Sequence, residues 1–304
     1  VTVSRKLVTL IAVLLVLAGC TSVTENLRLT IATGFSSGVY YKLGRALAGE
    51  WSKQTGMAVP AVLETQGSND NVNRLESGEA DIAFSAADVA VDRRNEKFSA
   101  LARIYDDYLH IVVRADSPIR TMTDLDGKRV GVGAANSGVI TIAKRVLDIT
   151  KINAETFEYG LQRSTEALRN REIDAFFWSG GLPTDEIVQL GKDENIRLLD
   201  MSEQMRTIRG DFGYYGAATI PLSTYRTANT VPVTTLTVPN LLMVTDRLSA
   251  GAAKALTQGI FAAQQELANV SRAANSIDIR SAVETQPVPL HPGAREYYRD
   301  EKRI

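Results

Sequence analysis

The 304-residue chain is predicted to be an α/β protein of two lobes, each a mostly parallel sheet flanked by helices, with a ligand cleft between them. Strand-like and helix-like runs alternate through residues 27–200, the pattern of parallel sheets with covered faces. That alternation is opened twice by a glycine-rich turn between a strand and a helix. Both turns close on the tripeptide Ser-Gly-Val: Thr33-Gly34-Phe35-Ser36-Ser37-Gly38-Val39-Tyr40-Tyr41, and Gly131-Val132-Gly133-Ala134-Ala135-Asn136-Ser137-Gly138-Val139. Free N–H groups converge at a helix N-terminus, which carries roughly half a positive charge. Each turn is therefore a potential anion site, and ligands in such sheets bind at the carboxyl ends of the strands.

In the first block a strand at 27–33 leads into a helix at 38–54. Its apolar residues Tyr40, Leu43, Leu47 and Trp51 share one helical face. A strand at 57–64 precedes a helix at 68–77, with Ser68 a candidate N-cap and Gly78 a stop. A strand at 80–85 and a helix through 94 complete the block, and a strand at 108–114 ends at the Ser117-Pro118 hinge signal. The second block alternates a short helix at 121–125, strands at 128–132, 156–159, 173–178 and 196–200, and helices at 137–150, 164–170 and 184–191. Pro221, Pro232 and Pro239 then punctuate an extended stretch. A long helix at 249–269, N-capped by Ser249, and a helical tail after His291-Pro292-Gly293 follow. The segments 108–118 and 231–240 are the expected crossovers. Lobe 1 is then discontinuous, 27–112 plus 236–304, and lobe 2 is 113–235.

The N-terminus points to export. Arg5 and Lys6 precede a twelve-residue apolar run, 7–18, too short to span a membrane comfortably. It ends in Leu17-Ala18-Gly19-Cys20, which resembles a bacterial lipobox; the resemblance implies cleavage after residue 19 and a lipid on the Cys20 sulfur. Residues 20–26 read as a tether. Cys20 is the chain's one cysteine, which excludes an internal disulfide and argues against a thiolate metal site. Without residues 1–19 the chain has 285 residues and a formal charge of −3, and no basic block with interleaved aromatics, so nucleic acid is not an expected partner.

The chain resembles the TAXI-type solute receptors of tripartite ATP-independent periplasmic (TRAP) transporters over about residues 29–298. The two turns carry the resemblance together with Thr65-Gln66-Gly67-Ser68…Asn71, Gly78-Glu79-Ala80-Asp81-Ile82-Ala83, and Asp88-Val89-Ala90. Asp124-Leu125…Gly127-Lys128-Arg129-Val130, Ile173-Asp174-Ala175-Phe176-Phe177, Gly181-Leu182-Pro183 and Pro289-Leu290-His291-Pro292-Gly293-Ala294 complete it. It implies a type II periplasmic-binding-protein fold and a lipid-anchored extracytoplasmic receptor. Such a receptor captures a small carboxylate, an amino acid or a dicarboxylate, and delivers it to a TRAP permease. It implies no cofactor, no metal and no catalysis, and a monomer is expected. The cleft residues it implies are Thr33, Gly34, Ser36, Ser37, Gly38, Val39 and Tyr41 of the first turn, and Gly67, Ser68 and Asn71. With them go Ala86 and Asp88, then Asn136, Ser137, Gly138 and Val139 of the second turn, and Phe177, Trp178 and Gly181.

Two departures from the family pattern stand out. Val39 and Val139 replace a threonine after each turn glycine, and Ala86-Ala87 replace a Gln-Ser pair before Asp88. Each lost hydroxyl hydrogen bond is worth roughly 0.5–1.5 kcal/mol. The expected pocket holds an anionic group through backbone N–H donors and wraps a less polar ligand body. Of the tyrosines opening the first helix, Tyr41 is expected nearer the cleft and Tyr40 to pack. Phe177 and Trp178 are either an aromatic wall or core, Asn71 either reaches ligand or bonds its own helix, and Arg163 is either a second-carboxylate cation or surface. Asp106 and Asp107 are expected to be solvated, and His110 and His291 to be structural. Two other functions fit the same fold: a ligand-presenting signalling receptor, and an enzyme, for which no nucleophile–base pair is visible.

Overall fold

The computed structural model describes residues 24, 26–93 and 96–301. The leader, Cys20 and most of the tether lie outside the described residues. Among the described helices none is long and apolar enough to cross a membrane.

The first block folds as β1 (Thr30–Ala32), α1 (Val39–Thr55), β2 (Ala61–Leu63), α2 (Ser68–Ser77), β3 (Ile82–Ala86) and α3 (Ala87–Asp92). Helix α1 buries Leu43, Leu47 and Trp51, and the Trp51 indole donates to the Leu256 carbonyl at 3.0 Å. A Cβ on Gly44 would sit 2.6 Å from Thr33 Cγ2, so glycine sets how closely α1 lies on β1. Gly56 and Gly78 end α1 and α2 in the left-handed conformation, at φ of 73° and 84°. The N-cap of α2 is Gly67, at φ 112°, one residue before the expected Ser68. Ser68 Oγ instead accepts from the Ala86 amide at 3.1 Å and ties α2 to the end of β3.

Strand β4 (Phe98–Arg114) follows, far longer than the 108–114 expected. The second block comprises β5 (Arg129–Gly131), α4 (Gly138–Thr150), β6 (Glu155–Phe157), α5 (Leu161–Arg169), β7 (Ala175–Gly180), α6 (Asp185–Asp193) and β8 (Ile196–Leu198). Helix α7 (Met205–Asp211) and β9 (Gly216–Ile220), neither of them expected, lead into β10 (Val233–Thr245). The expected long helix is split at Ala263 into α8 (Ala250–Ala262) and α9 (Gln264–Val270), and α10 (Ile279–Ala282) and α11 (Pro292–Asp300) complete the chain. The N-caps Ser137 and Ser249 accept from the amides of Ile140 and Ala252. His291 is structural: its Nδ1 caps Gly293 at the start of α11.

The two expected sheets are joined into one. Its strands run β2-β1-β3-β10-β4-β7-β5-β6, with β8 on β4 and β9 on β10. The sets β2-β1-β3 and β6-β5-β7 are parallel, as the alternation predicts. Between them β4 and β10 pair antiparallel from Phe98↔Thr245 to Tyr108↔Thr237. Beyond that point β4 continues along β7 and β10 lies along β9. Register shifts at Asn240/Leu241 and Leu242/Met243 interrupt this pair where β10 also lies along β3. One apolar cluster, with Trp51 and Tyr298, fills the space between the first set and α1, α8 and α11. A second, around Phe176 and Ile187, fills the far end beneath α5 and α6. A third runs from Val72 and Leu75 of α2 to Ile142 and Val146 of α4 and bridges the two blocks.

Candidate functional site

A cleft of about 1290 Å³ opens between the two parallel sets, at the carboxyl ends of β1 and β5. Gly34, Ser36, Ser37, Gly38 and Val39 of the first turn line one wall, and Ser137, Gly138 and Val139 of the second turn line the other. Gly67, Ser68, Ala86 and Asp88 face it from the first block, and Trp178 and Gly181 from the end of β7. Fourteen of the nineteen expected cleft residues are thus brought together.

The other five lie off the lining, each for a local reason. Thr33 is fully buried, and its hydroxyl donates to the Leu63 carbonyl at 2.6 Å. Asn71 is equally buried: its Nδ2 donates to the carbonyls of Thr33 and Phe84, and its Oδ1 accepts from the Thr65 hydroxyl at 2.6 Å. It pins the ends of β1 and β3 to the loop that enters α2. Tyr41 turns outward, with the Arg45 guanidinium 5.9 Å from its ring centroid, and Tyr40 takes the cleft face instead. Phe177 is core and Trp178 is cleft, because successive residues of a strand point to opposite faces. The Trp178 indole donates to Thr184 Oγ1 at 3.1 Å, and a Cβ on Gly180 would come within 2.5 Å of its Nε1.

Asn136, in the left-handed region at φ 61°, lies outside the lining and works across its edge. Its side-chain amide donates to Gln66 Oε1 at 3.2 Å, and its carbonyl accepts from the Asp70 amide at 3.1 Å. Asn69 Nδ2 donates to the Ser137 carbonyl at 2.8 Å and reaches Thr141 Oγ1 at 3.0 Å. The start of α2 is therefore docked on the second turn. Glycine allows the close approach: a Cβ on Gly138 would lie 2.9 Å from Ser68 Oγ and 3.3 Å from its Cβ.

The two turns differ in their donors. Gly38 gives α1 no side-chain cap, so the amides of its first turn are open to an acceptor. At the rim, however, the Ser36 amide already donates to Glu64 Oε1 at 2.9 Å. In the second turn Ser137 Oγ donates to the Ala134 carbonyl at 2.7 Å and accepts from Ile140 at 3.4 Å. The valines fill space. Val139 packs on the bare Cα of Gly133, where a Cβ would meet it at 2.6 Å, and Val39 Cγ2 would lie 3.6 Å from a Cβ on Gly181.

The floor of the cleft is polar and carries two buried carboxylates. Asp88 accepts from the Val89 amide and from the Tyr215 hydroxyl, both at 2.8 Å, with Arg145 Nη1 3.7 Å away. Burial pushes its carboxyl up to about 6, and Tyr215 and Arg145 partly offset that effect. Arg145, in turn, pairs with Asp92 at 2.6 Å and lies 4.4 Å over the Phe212 ring. Asp107, expected in solvent, is only 7% exposed, whereas Asp106 pairs with Arg103 at the surface. Burial pushes the Asp107 carboxyl up to about 7, with Asn240 and Tyr105 pulling it back. Beside these acids the Tyr40 hydroxyl donates to Asn240 Oδ1 and lies 3.3 Å from Ser68 Oγ. Tyr40, expected to pack, and Asp107, expected in solvent, also line the cleft, as do Tyr105 and Ser179, which sequence reasoning passed over. The period-two row Tyr105, Asp107, Leu109 would have signalled a strand with a polar insert. Arg163 reaches the lining but pairs with Glu172 and lies 4.9 Å from the Tyr159 ring. His110 is structural, bonded to the Tyr225 hydroxyl at 2.9 Å in the core, where burial pushes it down to about 4.

Solved structures share this architecture. The periplasmic aliphatic sulphonate binding protein SsuA of Escherichia coli is 15% identical, with a TM-score of 0.51 over 90% of this chain and 78% of its own. The GluR0 ligand-binding core of Nostoc punctiforme, in complex with L-glutamate, is 16% identical, with a TM-score of 0.52 over 79% of this chain and 97% of its own. The alkanesulfonate-binding protein SsuA of Xanthomonas axonopodis pv. citri, bound to MOPS, is 14% identical, with a TM-score of 0.54 over 91% and 84%. At these identities the likeness is one of fold, and it is the fold of periplasmic binding proteins. The sequence itself matches the NMT1-like family over residues 31–301, nearly the whole of the described chain, and the protein belongs to that family.

Proposed function

We propose that this protein is an extracytoplasmic solute-binding receptor for a small carboxylate with a partly apolar body. The observation that carries the reading is the cleft of about 1290 Å³ onto which the N-termini of α1 and α4 both open. The amides at the start of α1 would hold the anionic group. Val39, Val139, Trp178 and Leu182 would wrap the rest. The sulfonate and glutamate ligands named for proteins of the same fold support an anion in this position. Residues 27–112 plus 236–304 would move as one lobe and 113–235 as the other, closing on ligand about the β4–β10 pair. The resemblance to TAXI receptors supports delivery to a TRAP permease, and the lipobox-like segment supports a lipid anchor on Cys20.

Native mass spectrometry of the soluble domain should reveal a co-purified carboxylate. In a thermal-shift panel of amino acids, dicarboxylates and longer monocarboxylates, ligand at a hundred times its Kd should stabilise by about 2.7 kcal/mol. A panel in which no carboxylate raises the melting temperature and a sugar does would overturn the reading. For the anchor, Cys20→Ser should abolish lipid labelling in cells, and retained labelling would refute it.

A further inference from the structure

Asp107 is the feature of the cleft that an anion receptor leaves unexplained. It lines the cleft, is only 7% exposed, and its Oδ1 has no hydrogen-bond partner. Ser179 Oγ lies 3.5 Å from its Oδ2, and the neutral side chains of Asn240 and Tyr105 are its other polar neighbours. Among the described residues no lysine, arginine or histidine forms an ion pair with it, whereas the other buried acid of the floor, Asp88, faces Arg145. The groups around Asp107 add no positive charge: Tyr105 and Asp106 on its own strand, Asn240 on β10, Tyr40 on α1, Ser179 on β7, and Asp88 on α3. A buried carboxylate without a counter-charge is among the costliest groups a fold can keep. A site that meets its ligand there supplies the missing partner on binding.

We propose that Asp107 is the subsite for a hydrogen-bond-donating cationic group of the ligand, a primary ammonium, so that the solute is a zwitterion rather than a simple carboxylate. The proposal rests on the receptor reading above and narrows its substrate class. Tyr40 links the two ends of the site. Its backbone lies in the open first turn of α1, and its hydroxyl reaches Asn240 on the floor. Burial holds the Asp107 carboxyl near neutrality, so an arriving ammonium displaces a proton to solvent from the fraction that is protonated.

The test uses matched pairs that differ only in the amine: glutamate and glutarate, aspartate and succinate, leucine and 4-methylpentanoate. Affinities for the mature soluble chain are measured by calorimetry and by thermal shift. For at least one pair the amine-bearing member should bind the wild type tenfold or more tightly. Asp107→Asn should reduce that preference to about twofold or less while leaving the amine-free member within about threefold of its wild-type affinity. Equal binding of both members of every pair to the wild type overturns the proposal and leaves the carboxylate receptor standing. So does an Asp107→Asn variant that weakens both members alike, the mark of a purely structural role. If no member of any pair binds and a sugar does, the carboxylate reading fails and the Asp107 assignment falls with it. Should Asp107→Asn not fold, the wild-type contrast within the pairs still decides.

Discussion

Asp107 should make the unliganded protein less stable as pH rises, and Asp107→Asn should remove that loss. Its carboxyl is pushed from 3.8 to about 7, chiefly by burial. A carboxyl whose folded-state pKa lies above its unfolded value binds its proton more tightly in the folded state. Its contribution to stability is complete below the unfolded value and is lost as pH rises through about 7. With about 1.4 kcal/mol per tenfold, the loss accumulated between pH 5 and pH 8 is roughly 2–3 kcal/mol. Asparagine keeps the shape and cannot ionise. In a chain of this size 1 kcal/mol moves the melting temperature by about 2–4 °C. The difference in melting temperature between Asp107→Asn and wild type should therefore be about 5–10 °C more favourable to the variant at pH 8 than at pH 5. Calorimetric scans of both proteins across that range, without ligand, measure it directly, because the titration of every other group largely cancels in the difference. A difference that is the same at both pH values would refute the reasoning, since a carboxyl already ionised at pH 5 cannot be paying for burial.

Three further outcomes follow from the same geometry. Asn71→Ala leaves the buried carbonyls of Thr33 and Phe84 without its donor and should destabilise by about 2–4 kcal/mol, read as a lowered urea midpoint. Arg145→Met removes the cation facing Asp88 and should cost about 3–5 kcal/mol at pH 8; it should cost less at pH 5, below the value of about 6 to which Asp88 is raised, and equal losses at the two pH values would sink the assignment. Gly138→Ala places a Cβ 2.9 Å from Ser68 Oγ and should push α2 away from the second turn, weakening ligand binding about tenfold by calorimetry; an unchanged affinity would show that Ser68 gives way without cost.

Local physics made much of the fold legible. The face Leu43, Leu47, Trp51, the capping Ser249 and the stop at Gly78 are signals within one or two helical turns, and the structure uses each as such. Strands β4 and β10 were harder to see. Both are buried along nearly their whole length, so they lack the polar–apolar alternation of a half-exposed strand, and Pro239 sits inside β10. The missed N-terminal part of β4 contains Tyr105 and Asp107, which is why the floor of the cleft escaped notice.

Sequence by itself determined the alternating α/β class, the two glycine turns and their place at strand-to-helix junctions, because these depend on backbone conformation and local periodicity. Only the tertiary structure decided what lies between the turns. The bond from Tyr40 to Asn240 spans 200 positions, and that from Ser179 to Asp107 spans 72. Whether a carboxylate is solvated or buried without a counter-charge depends on which distant strands and helices surround it. No local pattern encodes that environment, and here it turns Asp107 from an expected surface acid into the unpaired group on the floor of the cleft.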